Sequence, residues 1–249
     1  MQRYFLTESY ESKERYSITG ENYHHMVRVM RMEPAQQVFL AFSDRLAIIA
    51  EITEITEDTV CLKEISKEVS EKELPIHVTI ACGYPKGDKL EWVVQKGTEL
   101  GSHRFVGFPA KNSVVKWDLK KRVKKTERLK KIATEAAEQS HRQFAPDVVL
   151  LEKADELIHS FSEYDKVLVA YEESAKIGER SQFAKALSEV NKGESILVIF
   201  GPEGGLSVDE VERFQSLGGI LCGLGPRILR AETAPLYVLS AISYQFELV

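Results

Sequence analysis

Two glycine-bearing segments hold the residues of this chain best suited to chemistry. Residues 224–234 read LGPRILRAETA, and residues 201–205 read GPEGG. Gly201, Gly204, Gly205 and Gly225 let backbone approach a ligand with no Cβ in the way. Glu203 can pair with a cation or a ribose hydroxyl. Ile228 and Leu229 are apolar where a loop would usually meet water, which suits a flat aromatic ring such as adenine. Arg227, Arg230 and Glu232 are interleaved with them, and arginines beside such a pocket can clamp phosphates or orient a base edge. The plainer alternative is that both segments are only tight turns. Neither contains G-x-G-x-x-G or G-x-x-x-x-G-K-[ST], so neither common nucleotide-binding loop is supported.

The elements that must position these loops are legible as an alternation. Strands are expected at residues 78–82, 105–108, 167–170, 196–200 and 220–222. Helices are expected at 88–100, from inside the basic run onward through Ala137, near 181–190, from the Ser207-Val-Asp-Glu210 capping box to Leu217, and at 233–248. Strands alternating with helices predict an α/β domain with a parallel sheet covered on both faces. Loops at the carboxyl ends of neighbouring strands are where such sheets bind ligands. Residues 1–70 read instead as a compact β module, with strands at 37–42, 46–55 and 59–69 and one helix at about 21–30. The charged segment 70–75, ending in Pro75, is the expected linker. The expected domains are therefore 1–70 and 74–249.

Composition narrows the class. The chain has 249 residues, enough for one large or two small domains. No apolar run suggests a membrane span, and the N-terminus lacks a secretory leader's apolar centre. Cys61, Cys82 and Cys222 are odd in number and scattered. That favours free buried thiols in a reducing cytoplasm, and no metal site is evident. The net charge of −5 hides a local excess. Between Lys116 and Lys131, nine Lys or Arg face Asp118 and Glu127, a local +7 that leaves −12 for the rest. Phosphate binding follows local potential, although a lone basic run also fits a solvated helix face.

The two glycine segments also carry a resemblance. With Lys96 to Gly101 (KGTELG) and Glu135 to Arg142 (EAAEQSHR), they match in order the motifs of the bacterial small-subunit ribosomal RNA uracil-N3 methyltransferases. That family belongs to the SPOUT methyltransferases, and the resemblance covers essentially the whole chain. It implies a catalytic domain with a C-terminal trefoil knot, a PUA-like β-barrel domain before it, and a homodimer formed through the knotted domain. It implies S-adenosyl-L-methionine as cofactor, bound by Leu168, Tyr171, Glu172, Gly201, Glu203, Gly204, Leu224, Gly225, Ile228, Leu229, Thr233 and Ala234. The implied partner is 16S ribosomal RNA or the small ribosomal subunit, gripped by Arg3, Arg31, Lys86, Lys96, Arg142 and the basic run. Lys111-Asn112 departs from the Glu-Arg pair of many members, so no role is carried to either residue.

Uracil N3 bears a proton at neutral pH, and its lone pair becomes available as that proton leaves. A base and a nearby cation are therefore useful. Glu232 is the candidate base and Arg230 the candidate stabiliser of the anionic ring. Glu232 equally suits a carboxylate favoured by a helix N-terminus, and Arg230 a surface or dimer contact. His24 and His25 are packed or RNA-facing. Tyr4 and Phe5 fill a core or stack on a base. Two other functions stay open: an RNA-binding or ribosome-assembly protein without catalysis, and a SPOUT methyltransferase acting at another RNA position.

Overall fold

The computed structural model describes residues 1–69, 71–172 and 182–249. The chain forms two compact units. The first comprises Met1–Glu73 and Ala137–Ala145; the second comprises Leu74–Ala136 and Pro146–Val249.

The first unit is built on a five-stranded sheet. Its strands are β1 (Arg3–Phe5), β2 (Tyr16–Ile18), β3 (Gln37–Ala41), β4 (Ala47–Ile55) and β5 (Val60–Lys67), in the order β1-β3-β4-β5-β2. All neighbours are antiparallel except β1 with β3. Alternate residues of β3 and β4 supply the core, among them Val38, Leu40, Ile48, Ala50 and Ile52. Period-two alternation of this kind is what a half-buried sheet requires. A short helix, α1 (Gly20–His24), is followed by a π-helical turn over His25–Val29, where the Met30 amide donates to the His25 carbonyl. The helix expected at 21–30 is thus two kinds of turn. It buries Met26 in the same core.

The second unit carries a six-stranded sheet whose pairs are all parallel. Its elements are β6 (His77–Gly83), α2 (Lys89–Glu99), β7 (Arg104–Phe108), α3 (Leu119–Gln139), β8 (Asp147–Leu150), α4 (Ala154–His159), β9 (Lys166–Ala170), α5 (Gln182–Ser188), β10 (Ser195–Phe200), α6 (Val208–Ser216), β11 (Ile220–Cys222) and α7 (Thr233–Ser243). The last three residues of α3 belong to the first unit. A π-helical turn over Tyr244–Leu248 follows α7, so the expected 233–248 helix changes its winding near the end. Ser181, the expected start of α5, lies outside the described residues.

The strand order is β11-β9-β10-β6-β7-β8. Ile196, Val198 and Phe200 of β10 join the core on one face, and Leu197 and Ile199 join the core on the other. Burial on both faces explains why these strands read as continuous apolar runs. Gly101 ends α2 at φ +91°, a backbone conformation that costs glycine little. The three cysteines are free and buried. No helix among the described residues is long and apolar enough to cross a membrane.

Candidate functional site

Because β9, β10 and β11 are parallel and adjacent, the loops that follow them leave the sheet from the same edge. The chain runs outward from β6 to β8 and then returns to the other side of β6. The reversal falls between β6 and β10, the position at which open α/β sheets bind ligands.

The three loops enclose a hollow of about 550 Å³. That lies within the roughly 300–1,000 Å³ typical of small-molecule sites. Tyr171 and Glu172 border it after β9, Gly201 to Leu206 after β10, and Leu224, Gly225 and Arg227 to Ala231 after β11. The Tyr171 amide donates to the Cys222 carbonyl at 3.1 Å, which fastens the first of these loops to the third.

Each loop has a local cause. After β10 the chain turns back at once, and the Gly205 amide donates to the Pro202 carbonyl at 2.8 Å. Ser207 then caps α6. Its hydroxyl accepts from the Glu210 amide, and the Glu210 carboxylate accepts from the Ser207 amide at 2.9 Å. A Cβ on Gly201 would stand 2.6 Å from both the Gly205 carbonyl carbon and the Leu206 nitrogen, so the turn closes only around a glycine. The Asn112 side-chain amide donates to the carbonyls of Gly204 and Gly205 at 3.0 and 3.3 Å. The Lys111 amide donates to the Glu210 carboxylate at 2.8 Å. The segment that departs from the family pattern therefore braces the first glycine loop. After β11, the Thr233 and Ala234 amides both donate to the Arg230 carbonyl, starting α7.

Charge gathers at one wall. Lys89, in the first turn of α2, lines the hollow. Its ammonium lies 2.8 Å from Glu203 Oε1 and 3.6 Å from Glu232 Oε2. The Lys86 amide donates to the same Glu203 oxygen at 3.0 Å. The hydrogen bond to Glu203 raises the Lys89 pKa above its ordinary value, with the charges of Glu203 and Glu232 adding to it. Burial pushes the Glu203 carboxyl up. The hydrogen bonds from Lys89, from its own amide and from the Lys86 amide outweigh that, and the net shift is downward. Glu232 Oε2 is buried and accepts no hydrogen bond.

Most of the expected cofactor residues meet here. Tyr171, Glu172, Gly201, Glu203, Gly204, Leu224, Gly225, Ile228, Leu229 and Ala234 border the hollow, as does Arg230. Leu168 does not: it is wholly buried inside β9, in the core of the sheet. Thr233 and Glu232 do not border it either, and Glu232 meets its edge through Lys89. Lys89 and Asn112 escaped the sequence reading. Their partners lie on loops far along the chain, and only the strand order brings them together.

The expected RNA residues divide. Arg31 and Lys86 are exposed, and Lys96 is half-buried and paired with Glu99 at 2.9 Å. Arg3 and Arg142 are corrected. Arg3 is buried, pairs with both oxygens of Glu68 at 2.7 Å and lies over the Phe39 ring. Arg142 is buried and paired with Glu73. Burial closes both guanidinium groups off from phosphate, so these two hold the first unit together. In the basic run, Arg122 pairs with Glu152, Arg128 with Glu91 and Lys130 with Asp147.

The fold has counterparts. Residues 72–243 match the model of an RNA methyltransferase domain, and residues 18–65 that of an RNA methyltransferase PUA domain. The chain is 51% identical to the ribosomal RNA small subunit methyltransferase E of Bacillus subtilis, over 100% of this chain and 98% of the relative. It is 29% identical to the protein of the same name from Synechocystis, over 93% and 73% of the two chains. A crystal structure of a hypothetical protein superposes with a TM-score of 0.92 at 49% identity, over 99% of both chains. A Legionella pneumophila methyltransferase solved with bound S-adenosylmethionine superposes with a TM-score of 0.83 at 25% identity, over 97% and 96%.

Proposed function

This chain belongs to the ribosomal RNA small subunit methyltransferase E family, and on that premise we infer that it methylates N3 of a uridine in small-subunit ribosomal RNA. The observation that carries the reading is the convergence of the loops after β9, β10 and β11 on one hollow. S-adenosylmethionine fits the residues present. Ile228 is 74% exposed beside the hollow, a large apolar surface that a flat ring would cover. We assign the cofactor to Tyr171 and Glu172, to Gly201, Glu203 and Gly204, and to Leu224, Gly225, Ile228, Leu229 and Ala234. When bound, it supplies a methyl group on a sulfonium, already a good electrophile.

The chain's own residues then have to free the N3 lone pair. We assign Glu232 as the base, because its Oε2 is buried and makes no hydrogen bond that would occupy its lone pairs. Arg230, at the edge of the hollow, is assigned to the negative charge that gathers on the ring. Residues 74–249 are proposed as the catalytic domain, with the family's trefoil knot, and residues 1–70 as the RNA-binding domain. Arg31, Lys86, Lys96 and the basic run are the proposed RNA contacts. The homodimer is part of the same proposal. Tyr237, Tyr244 and Leu248, exposed along α7 and the turn after it, are large apolar groups that a second copy would cover. We assign its action to the cytoplasm, where its RNA is found.

The test is mass mapping of N3-methyluridine in small-subunit RNA from cells lacking the protein. The mark should be absent, and should return with the wild-type chain. Glu232→Gln should bind S-adenosylmethionine normally by calorimetry yet transfer methyl about 100-fold more slowly or worse. Near-normal transfer across the pH range would remove the base assignment. A wild-type chain that binds no S-adenosylmethionine would instead favour an RNA-binding protein without catalysis. Sedimentation of the same preparation at the mass of one chain would remove the dimer.

A further inference from the structure

We propose that Lys89 is a catalytic residue, its ammonium donating to the uracil oxygen on which negative charge gathers as N3 loses its proton. This rests on the uridine-N3 reading given above. Four observations carry it. Lys89 borders the hollow, and Glu232 does not. The ammonium is fixed in place by Glu203 at 2.8 Å. Its contact with Glu232, at 3.6 Å, is an ion pair longer than a hydrogen bond. Glu232 Oε2 is buried and accepts no hydrogen bond, so it keeps a lone pair for a proton.

The charges close on themselves. At rest the cluster holds one ammonium between two carboxylates, an excess of one negative charge. The N3–H bond then breaks. Its proton passes through a water to the Glu232 carboxylate, and the bonding pair stays on the ring, where its charge spreads to O2 and O4. Glu232 is now neutral and has no claim on Lys89. Glu203 and Lys89 cancel, and the one excess negative charge resides on uracil. Total charge is the same on both sides, but the ammonium has exchanged a carboxylate for the ring oxygen. Proton acceptance by Glu232 is therefore what releases the cation that stabilises the product of proton loss. A donor already held in position loses little to reorganisation, which makes such groups effective. Arg230, exposed on the loop after β11, borders the same hollow and adds a second positive charge there.

The test compares Lys89→Met and Lys89→Arg with wild type on small ribosomal subunits. The subunits come from cells lacking the enzyme, grown with or without 5-fluorouracil. Fluorine makes N3 more acidic, so a fluorinated target needs the cation less. Lys89→Met should slow transfer to ordinary uridine by about 100-fold and to 5-fluorouridine by about tenfold or less, with Lys89→Arg in between. Calorimetric affinity for S-adenosylmethionine should stay within about threefold, which also shows that the variant is folded. An equal loss on both substrates, or a loss matched by weakened cofactor binding, overturns the assignment and makes Lys89 a structural or cofactor-binding group. A wild-type chain that methylates neither kind of subunit overturns the uridine reading itself, and Lys89 falls with it.

Discussion

Gly201 shows how much one missing side chain can decide. Its φ is not in the left-handed region, so backbone strain is not the reason for glycine. The reason is space: an added Cβ would meet two backbone atoms of the same loop at 2.6 Å, and backbone cannot rotate aside. At Gly204 the nearest atom is the Cβ of Asn112 at 3.1 Å, a side chain that can give slightly. Gly201→Ala should therefore cost roughly 1–3 kcal/mol of stability, as overpacking does, and weaken S-adenosylmethionine binding tenfold or more. Gly204→Ala should be milder in both. Thermal melts and calorimetry on the two variants check this, and equal behaviour would mean that the first glycine loop is not a cradle. Gly201 was legible in the sequence because GPEGG follows an apolar strand and precedes a capping box. Lys89 was not. Nothing in KGDKLEW says that Glu203 and Glu232 flank it, since that depends on β6 lying beside β10.

At the scale of elements, α2 and α3 are joined by a two-pronged contact. Arg128 Nε and Nη2 each donate to a Glu91 carboxylate oxygen at 2.7 Å. Those hydrogen bonds, chiefly, hold the Glu91 pKa below the ordinary carboxylate value. A lowered folded pKa means the contact stabilises fully above the unfolded value and is lost as pH falls through the folded one. Glu91→Gln should thus melt slightly lower than wild type at neutral pH, the difference being small because Arg128 is largely exposed. The melting curves of the two should converge as the solution is acidified towards the lowered pKa, and parallel curves would contradict the pairing. The longer elements were readable because their apolar residues repeat over several turns or a full strand. The missed elements have no such length. β1 and β2 have three residues each, and β1 finds its parallel partner only in β3, across more than thirty residues. Four-residue β8 and six-residue α4 are too short to show a period. The π-helical turn at His25–Val29 carries the same apolar pattern as an ordinary helix and differs only in its hydrogen bonds.

For the molecule as a whole, the sequence order of residues does not reveal that Ala137–Ala145 groups with the first unit, tied there by Arg142 and Glu73. It does reveal the imbalance between a net charge of −5 and the +7 of residues 116–131. Overall repulsion from polyanionic RNA must be overcome locally, and the structure narrows where. Arg122, Arg128 and Lys130 are engaged with carboxylates, and Lys125 lies 5.0 Å over the Trp117 ring. Lys120, Lys121 and Lys124 are exposed on α3, with no ion pair among the described residues. Each phosphate neutralised releases counterions, which adds about 0.7–0.9 to the slope of log affinity against log salt. Replacing these three lysines with glutamine should therefore flatten that slope by about 2 to 3 if all three meet phosphates. S-adenosylmethionine binding should not change, because none of the three borders the hollow. Filter binding of small-subunit RNA across a salt series measures the slope directly. An unchanged slope would assign the run to an ordinary solvated helix face and move the RNA track elsewhere, with Arg31 and Lys86 the first residues to test.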